Sequence, residues 1–177
     1  GVNQVQINPM AGLTFASGLR SFLRQDPNII MVGEIRDAET TDLAIQAALT
    51  GHLVFSTLHT NNASGALPRL LDMGAEPYLV SSSLNAVVAQ RVVRKICNSC
   101  KETYEPPETL QDDVKKVLGS YFSTTKLVDG KMTLYRGKGC VNCGNTGYQG
   151  RIGIFEVLPV EEKIGRLVLE RTDSDAI

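Results

Sequence analysis

Two sets of side chains in this sequence have the types and spacing to do chemistry. The first is four cysteines in two CxxC pairs, Cys97-Asn98-Ser99-Cys100 and Cys140-Val141-Asn142-Cys143. Each short loop presents two sulfurs, and two such loops supply the four thiolates of a tetrahedral zinc site. The intervening segment 101–139 is longer than in compact fingers, but the cost of closing a loop grows only slowly with its length. Gly139 and Gly144 beside the second pair leave room for a tight turn. The pattern is also open to redox dithiols or unpaired thiols, whereas two disulfides belong to an oxidising compartment. No histidine falls in this region. The expected site is therefore closed and structural, with Cys97, Cys100, Cys140 and Cys143 as ligands.

The second set lies at the ends of two apolar runs. In Asp26–Asp37, DPNIIMVGEIRD, the run Ile29-Ile30-Met31-Val32 does not alternate with polar residues. Such a run reads as a strand buried on both faces. It ends at Gly33, and Glu34 follows at once. Ligands in open α/β sheets bind beyond the carboxyl ends of strands, so a carboxylate there is placed to hold a water or a nucleophile. The competing reading is a central strand that simply runs into a charged surface loop. A second block of the same design, Gly51 to Asn61, brings Ser56, Thr57 and His59 to the end of the run Leu53-Val54-Phe55. His59 is the side chain most easily tuned near neutral pH; alternatively it is a satisfied polar residue beside the sheet. Arg36 and Asp37 are expected to orient the loop or pair with neighbours, with direct phosphate contact as the alternative. His52 begins its strand at the opposite end and carries little catalytic weight.

The elements that position these residues follow from pattern. Residues 1–12 alternate at Val5 and Ile7, which predicts a short strand and turn. Residues 13–25 suit a helix with Phe15, Leu19, Phe22 and Leu23 toward one side and Thr14 as cap. Arg20 and Arg24 share a face of it, as surface charges or as groups for phosphate or a neighbouring subunit. Asp37 is a good cap for a helix over 38–50, with Thr40 rather than an acid or amide at the third position. Strand, helix, strand in this order is a right-handed βαβ unit, so both polar strand ends share one sheet edge. A third helix is expected from Asn62 to Met73, kinked or delayed by Pro68. The longest helix is expected over 78–95, with a basic end at Arg91, Arg94 and Lys95. Beyond the first cysteine pair, a short helix over 108–118 and a hairpin signal at Asp129-Gly130 are expected. A strand over 152–158 and a helix over 160–171 complete the reading.

Of the 177 residues, 42% are apolar and 21% charged, which suits a folded soluble protein. Lys plus Arg is 18 and Asp plus Glu 19, a net charge of −1, so bulk charge offers no argument for nucleic acid. No run approaches a membrane span and no signal peptide is visible, which predicts a cytoplasmic chain. The start at Gly1, without methionine or cap, reads as a piece of a longer protein. No GxxxxGK[ST] loop occurs anywhere in it. That loop cradles a triphosphate, so the chain by itself is not expected to be a competent ATPase.

GLRSFLRQ, DPNIIMVGEIRD, GHLVFSTLHTN and the CxxC pairs ending in TGYQGRIGIFEVLP together resemble the carboxyl-terminal part of the secretion ATPases. These are the hexameric motors of type II secretion and type IV pilus assembly. The resemblance runs from residue 1 nearly to the end. It implies that Ile29–Asp37 is the Walker B block with Glu34 as catalytic glutamate. Gly33 stands where a Mg-supporting acid is common. Gly51–Asn61 becomes the histidine box with His59 as its histidine, and the four cysteines become the metal-binding tetracysteine motif.

The fold so implied is α/β, a partial RecA-like P-loop NTPase core lacking the Walker A part, with a small zinc-binding subdomain and C-terminal helices. Residues 1–96 would be the ATPase portion, 97–150 the tetracysteine subdomain, and 151–177 a terminal strand and helical segment. The family's arginine fingers lie outside the matched part, so Arg20 and Arg24 inherit no such role. The resemblance further implies ATP and Mg2+ as ligands of the parent, with Gly33 and Arg36 near the nucleotide, and structural Zn2+. It implies a homo-hexamer driving an inner-membrane platform protein, cytoplasmic and peripheral to that membrane; with a net charge of −1, no nucleic acid is expected as partner. The rival readings are a zinc-stabilised protein-interaction module without catalysis and, from the basic residues Arg91, Arg94 and Lys95, a nucleic-acid motor of the same sheet type, which the overall charge disfavours.

Overall fold

The computed structural model describes residues 1–124, 127 and 132–177. The hairpin expected at Asp129-Gly130 lies outside the described residues. The chain divides into two compact units, Gly1–Gln90 with Phe155–Ile177, and Arg91–Ile154.

In the first unit, helix α1 (Phe15–Leu23) starts on a reciprocal cap. Thr14 Oγ1 accepts the Ser17 N–H at 3.1 Å and Ser17 Oγ accepts the Thr14 N–H at 2.9 Å, satisfying amides that the first turn leaves free. Strand β1 (Ile29–Val32) and strand β2 (Leu53–Ser56) pair in parallel, with Ile29 opposite Leu53 and Val32 opposite Ser56. Helix α2 (Ala38–Leu49) connects them, capped by Asp37, whose Oδ1 accepts the Thr40 N–H at 2.8 Å and whose Oδ2 accepts the Thr40 hydroxyl at 3.1 Å. The strand–helix–strand unit expected from the sequence is present. Ala16 and Leu19 of α1, Ile30 and Val32 of β1, and Leu43 and Ala47 of α2 form one core.

Two expectations for this part are corrected. β1 is buried on one face only: Ile30 and Val32 are in the core, whereas Ile29 is 62% and Met31 71% exposed. Successive residues of a strand point to opposite faces, and the core formed with α1 and α2 takes only the even-numbered ones. Leu53 and Phe55, on the same face as Ile29 and Met31 by register, are exposed as well. Residues 1–12 form no strand. Asn8 bridges Leu13 in isolation, and between them Pro9–Ala11 makes a 3-10 turn closed by Gly12 at φ +76. A strand needs a partner ladder, and none is offered to Val5 and Ile7 among the described residues.

A second core joins helices α3 (Ala66–Asp72), α4 (Pro77–Ser83) and, from the end of the chain, α6 (Glu162–Leu169) around Leu67, Leu70, Val80 and Val168. Pro68 falls in the first turn of α3, where a missing N–H costs nothing, so the helix starts late rather than kinking. Gly165 of α6 meets α4 closely: a Cβ there would sit 2.6 Å from Ser81 Oγ.

The long helix expected over 78–95 does not exist. α4 ends at Ser83, Leu84 is extended at φ −88 and ψ 118, and strand β3 (Ala86–Ile96) follows. Val87, Val88, Val92 and Val93 are β-branched and favour the pleated conformation. Their partner, strand β6 (Tyr148–Pro159), lies far along the chain. β6 is longer than the strand expected over 152–158. Arg91, Arg94 and Lys95 are therefore strand residues, not the basic end of a helix.

The second unit carries a short antiparallel ribbon that pattern did not reveal, β4 (Lys101–Tyr104) with β5 (Leu134–Gly137), in the register Glu102 opposite Arg136. Glu102 pairs with Arg136 at 2.8 Å and Lys138 at 2.7 Å. Helix α5 (Glu108–Leu118) stands where expected. No helix among the described residues is long and apolar enough to cross a membrane.

Candidate functional site

Because β1 and β2 are parallel, their carboxyl ends emerge side by side, and the loops beyond them meet. Glu34 is the first side chain past Gly33. Its Oε2 lies 2.5 Å from Arg36 Nη2, and its Oε1 lies 2.7 Å from Nε2 of His59, which comes from the loop after β2. The structure thus brings together three of the expected residues. Arg36 and His59 side chains are largely exposed, whereas Glu34 is only 21% exposed. Glu34 Oε1 is shielded from solvent and receives no aligned hydrogen bond among the described residues, and His59 Nε2 faces it across the 2.7 Å contact. The Arg36 guanidinium, first by hydrogen bond and then by charge, holds the Glu34 carboxyl below the usual carboxylate range, and His59 adds to this. Partial burial works in the opposite direction and is outweighed.

The remaining residues of the two blocks have local duties. Asp37 is occupied as the α2 cap. His52 sits at the opposite end of β2, its Nδ1 3.0 Å from the Ala47 carbonyl and 3.2 Å from Thr50 Oγ1. Arg20 pairs with Glu39 at 2.8 Å and braces α1 on α2. A Cβ added at Gly33 would meet nothing within 4 Å, so the space above Gly33 is open. A cavity of about 650 Å³ runs beside β2 and is lined by Val54, Phe55, Val87 and Val88 among others. Neither Glu34 nor His59 lines it. The candidate chemistry sits at the open strand edge, not in this cavity.

In the second unit the four cysteine sulfurs all lie within 4.8 Å of one another. Cys97 and Cys140 Sγ are 3.9 Å apart, Cys100 and Cys143 3.9 Å, and Cys140 and Cys143 3.7 Å. Zinc–sulfur bonds of about 2.3 Å in a tetrahedron put the sulfurs about 3.8 Å apart, and these three separations match that ion. All four cysteines are free thiols, and soft thiolates select zinc-like metals. Cys97 is fully buried at the end of β3. Burial pushes the Cys100 thiol up to about 12. Burial also acts to raise Cys143, but backbone N–H groups of Cys140 and Gly147, at 3.2 and 3.3 Å, bring it down to about 6. Such N–H···S contacts stabilise a thiolate ligand.

Gly137 and Gly147 make this geometry possible. A Cβ at Gly137 would collide with the Gly147 backbone, and one at Gly147 would lie 2.6 Å from the Gly137 carbonyl oxygen. Gly147 also has φ +77, a conformation that favours glycine.

Three contributors were missed in the sequence. Gly147 donates to a cysteine sulfur, Glu156 accepts the Ala63 N–H at 2.9 Å beyond the histidine loop, and Thr57 binds the loop of Glu34. Thr57 was visible there only as one strand-end polar residue among several. Glu156, in an apolar strand, carried a signal in its charge alone.

A parallel strand pair with a carboxylate and a histidine at its outlet, together with a tetracysteine cluster, defines an α/β protein with a candidate metal centre. The chain belongs to the Type II/IV secretion system protein family, whose model matches residues 1–177. It is 49% identical to the type II secretion system ATPase E of Vibrio cholerae, over 100% of this chain and 33% of that protein. It is 52% identical to the type IV pilus assembly ATPase PilB of Thermus thermophilus, over 96% of this chain and 18% of that protein. Among solved structures, the ATPase DotB of Yersinia pseudotuberculosis matches with a TM-score of 0.57 and 25% identity, covering 94% of this chain and 31% of that one. The pilus retraction motor PilT with bound ADP matches with a TM-score of 0.55 and 28% identity, covering 89% of this chain and 33% of that one. The chain spans a third or less of the length of these relatives.

Proposed function

We propose that this chain is the hydrolytic and metal-bearing part of an ATP-driven motor for type IV pilus assembly or type II secretion. The observation that carries the reading is the meeting of Glu34 and His59 at 2.7 Å beyond two parallel strands. The α/β unit would be part of a RecA-like core, completed by a phosphate-binding loop supplied from elsewhere in a longer protein. Glu34, kept ionised by Arg36, would accept a hydrogen bond from the attacking water and orient it in line with the γ-phosphate. Its Oε1, shielded and facing His59 in this structure, would be freed for this as His59 moves to the nucleotide. His59 would exchange Glu34 for a γ-phosphate oxygen and so report the state of the nucleotide. The open space at Gly33 allows a ligand to approach the backbone, and Arg36 stands next to it. Mg2+ bound with the nucleotide would neutralise the charge on the β- and γ-phosphates.

The four cysteines would hold one structural zinc and brace the second unit. By family likeness the working assembly would be a homo-hexamer, cytoplasmic and peripheral to the inner membrane, acting on a platform protein there. In the domain division proposed for it, residues 1–96 contribute to the ATPase core, 97–150 form the zinc subdomain, and 151–177 close the chain. The tetracysteine geometry by itself also favours a second reading, a zinc-stabilised interaction module without catalysis.

Glu34→Gln in a longer protein that contains this chain decides between them. Loss of a positioned general base costs roughly 10²–10⁴-fold. We expect kcat to fall by that order with ATP still bound. Turnover within about twofold of the parent, where such a loss was due, would leave the interaction module as the better account.

A further inference from the structure

Thr57 lies in the chain just before His59 and bonds to the backbone on both sides of Glu34. It is exposed at the end of β2, where the strand ladder stops at Val32 opposite Ser56. Its Oγ1 donates to the Gly33 carbonyl at 2.7 Å. Its own carbonyl accepts the Ile35 N–H at 3.1 Å. The Gly33 carbonyl belongs to the peptide before Glu34, and the Ile35 N–H to the peptide after it. Both peptide planes flanking Glu34 are thus tied to the one residue just past the neighbouring strand.

The geometry assigns Thr57 as a positioning residue that holds the Glu34 carboxylate in register with His59. Glu34 follows a glycine, the residue with the greatest backbone freedom, and the regular ladder has ended two residues before it, at Val32. Without a tether the peptide at Gly33 can rotate and swing the carboxylate away. His59 lies two residues beyond Thr57 on the same segment, so the tether fixes the donor loop and the acceptor loop to each other with one residue. The hydroxyl is what makes the second bond possible, since the backbone of β2 supplies only the first. The role deepens the proposed hydrolytic reading and rests on it for its catalytic consequence, but the tether can be tested without catalysis.

The test uses Thr57→Val, which keeps the shape and drops the hydroxyl, and Thr57→Ser, which keeps the hydroxyl. Thr57 is exposed, so neither opens a cavity. The chain has two histidines, so the ring signals of His59 are assigned in NMR spectra of the full 177-residue chain by one His59→Gln control. In the parent sequence, Glu34→Gln is expected to move the His59 ring signal. In the Thr57→Val background the same substitution should leave it in place, and Thr57→Ser should restore the response. A second measurement needs no variant: the Ile35 amide should be protected from hydrogen exchange while its exposed loop neighbours are not. In a longer protein containing the chain, Thr57→Val should lower kcat roughly tenfold or more with KM for ATP unchanged, and Thr57→Ser should retain most of it, as expected for lost positioning.

A His59 signal that still answers Glu34→Gln in the Thr57→Val chain overturns the tether, as does an unprotected Ile35 amide. If the NMR coupling behaves as expected but Glu34→Gln leaves turnover intact, the tether stands and the hydrolytic reading fails.

Discussion

His59 Nε2 reaches to 2.7 Å of Glu34 Oε1 although the two residues come from separate strands joined through a helix. The contact exists because β1 and β2 run in parallel with Val32 opposite Ser56, so that short extensions past the last pair, to Glu34 on one side and His59 on the other, bring the loops together. An antiparallel pair would have sent them to opposite ends of the sheet.

Arg36 sets the ionisation of Glu34. It lowers the Glu34 carboxyl more than His59 does. Arg36→Gln should therefore move the Glu34 titration upward, toward the ordinary carboxylate value of about 4.3. The linkage has a definite sign. A carboxyl with a lowered folded value contributes stability above its unfolded value, and that contribution is lost as pH falls through the folded value. The parent chain should thus hold this contribution to a lower pH than the Arg36→Gln chain. Carbon-13 NMR of the Glu34 carboxyl across the acid range reads the shift directly, and an unchanged midpoint would show that Arg36 does not govern it.

The tetracysteine cluster should bind one zinc per chain. Metal removal at neutral pH should unfold the second unit, because four close thiols lose the ion that holds them, and structural zinc binding is folding free energy. Cobalt in its place should give the intense thiolate charge-transfer bands of a tetrahedral site, and Cys140→Ser should weaken them. Elemental analysis finding no bound metal, or amide protection in Arg91–Ile154 unchanged by chelator, would count against the assignment.

Gly137→Ala should damage the same unit without touching a ligand. The added methyl runs into the Gly147 backbone, which cannot rotate aside as a side chain could. Overpacking costs typically about 1–3 kcal/mol, and the upper end is expected here. Urea denaturation should show the loss, and weaker zinc binding should accompany it, since Gly147 also donates to Cys143 Sγ. Wild-type stability in the variant would mean that the two backbones can separate at no cost.

The 177-residue chain should not bind Mg-ATP tightly by itself. Its sequence holds no GxxxxGK[ST] loop, and the amides and lysine of that loop carry most of the phosphate recognition. Calorimetry should detect no binding tighter than about 1 mM, equivalent to roughly −4 kcal/mol. Micromolar affinity would show that the strand edge around Gly33 and Glu34 makes a phosphate site unaided.

Much of the first unit was legible because its signals are local. Thr14 and Asp37 cap the helices that follow them, and the short apolar runs around Ile30 and Val54 are β1 and β2. β3 was misread because its segment also satisfies a helical period. Only β6, distant in sequence, makes it a strand. β4 was unreadable in a polar stretch whose partner, Leu134–Gly137, comes long after. The bare face at Ile29 and Met31 was hidden for a related reason: an apolar run states that two faces are fit for burial, not that both are covered in this chain.

What the sequence by itself determined are the properties carried by residue type and short spacing: the two thiolate pairs, the caps, the βαβ order and the carboxylate and histidine just past strand ends. Only the tertiary structure decided which distant segments meet. It closed the four sulfurs to metal-binding distance through the Gly137–Gly147 contact, turned 86–96 into a strand, and put Thr57 across both peptides of Glu34. Each of these depends on pairing between groups far apart in the chain, whose free energy is realised only when both partners are in place.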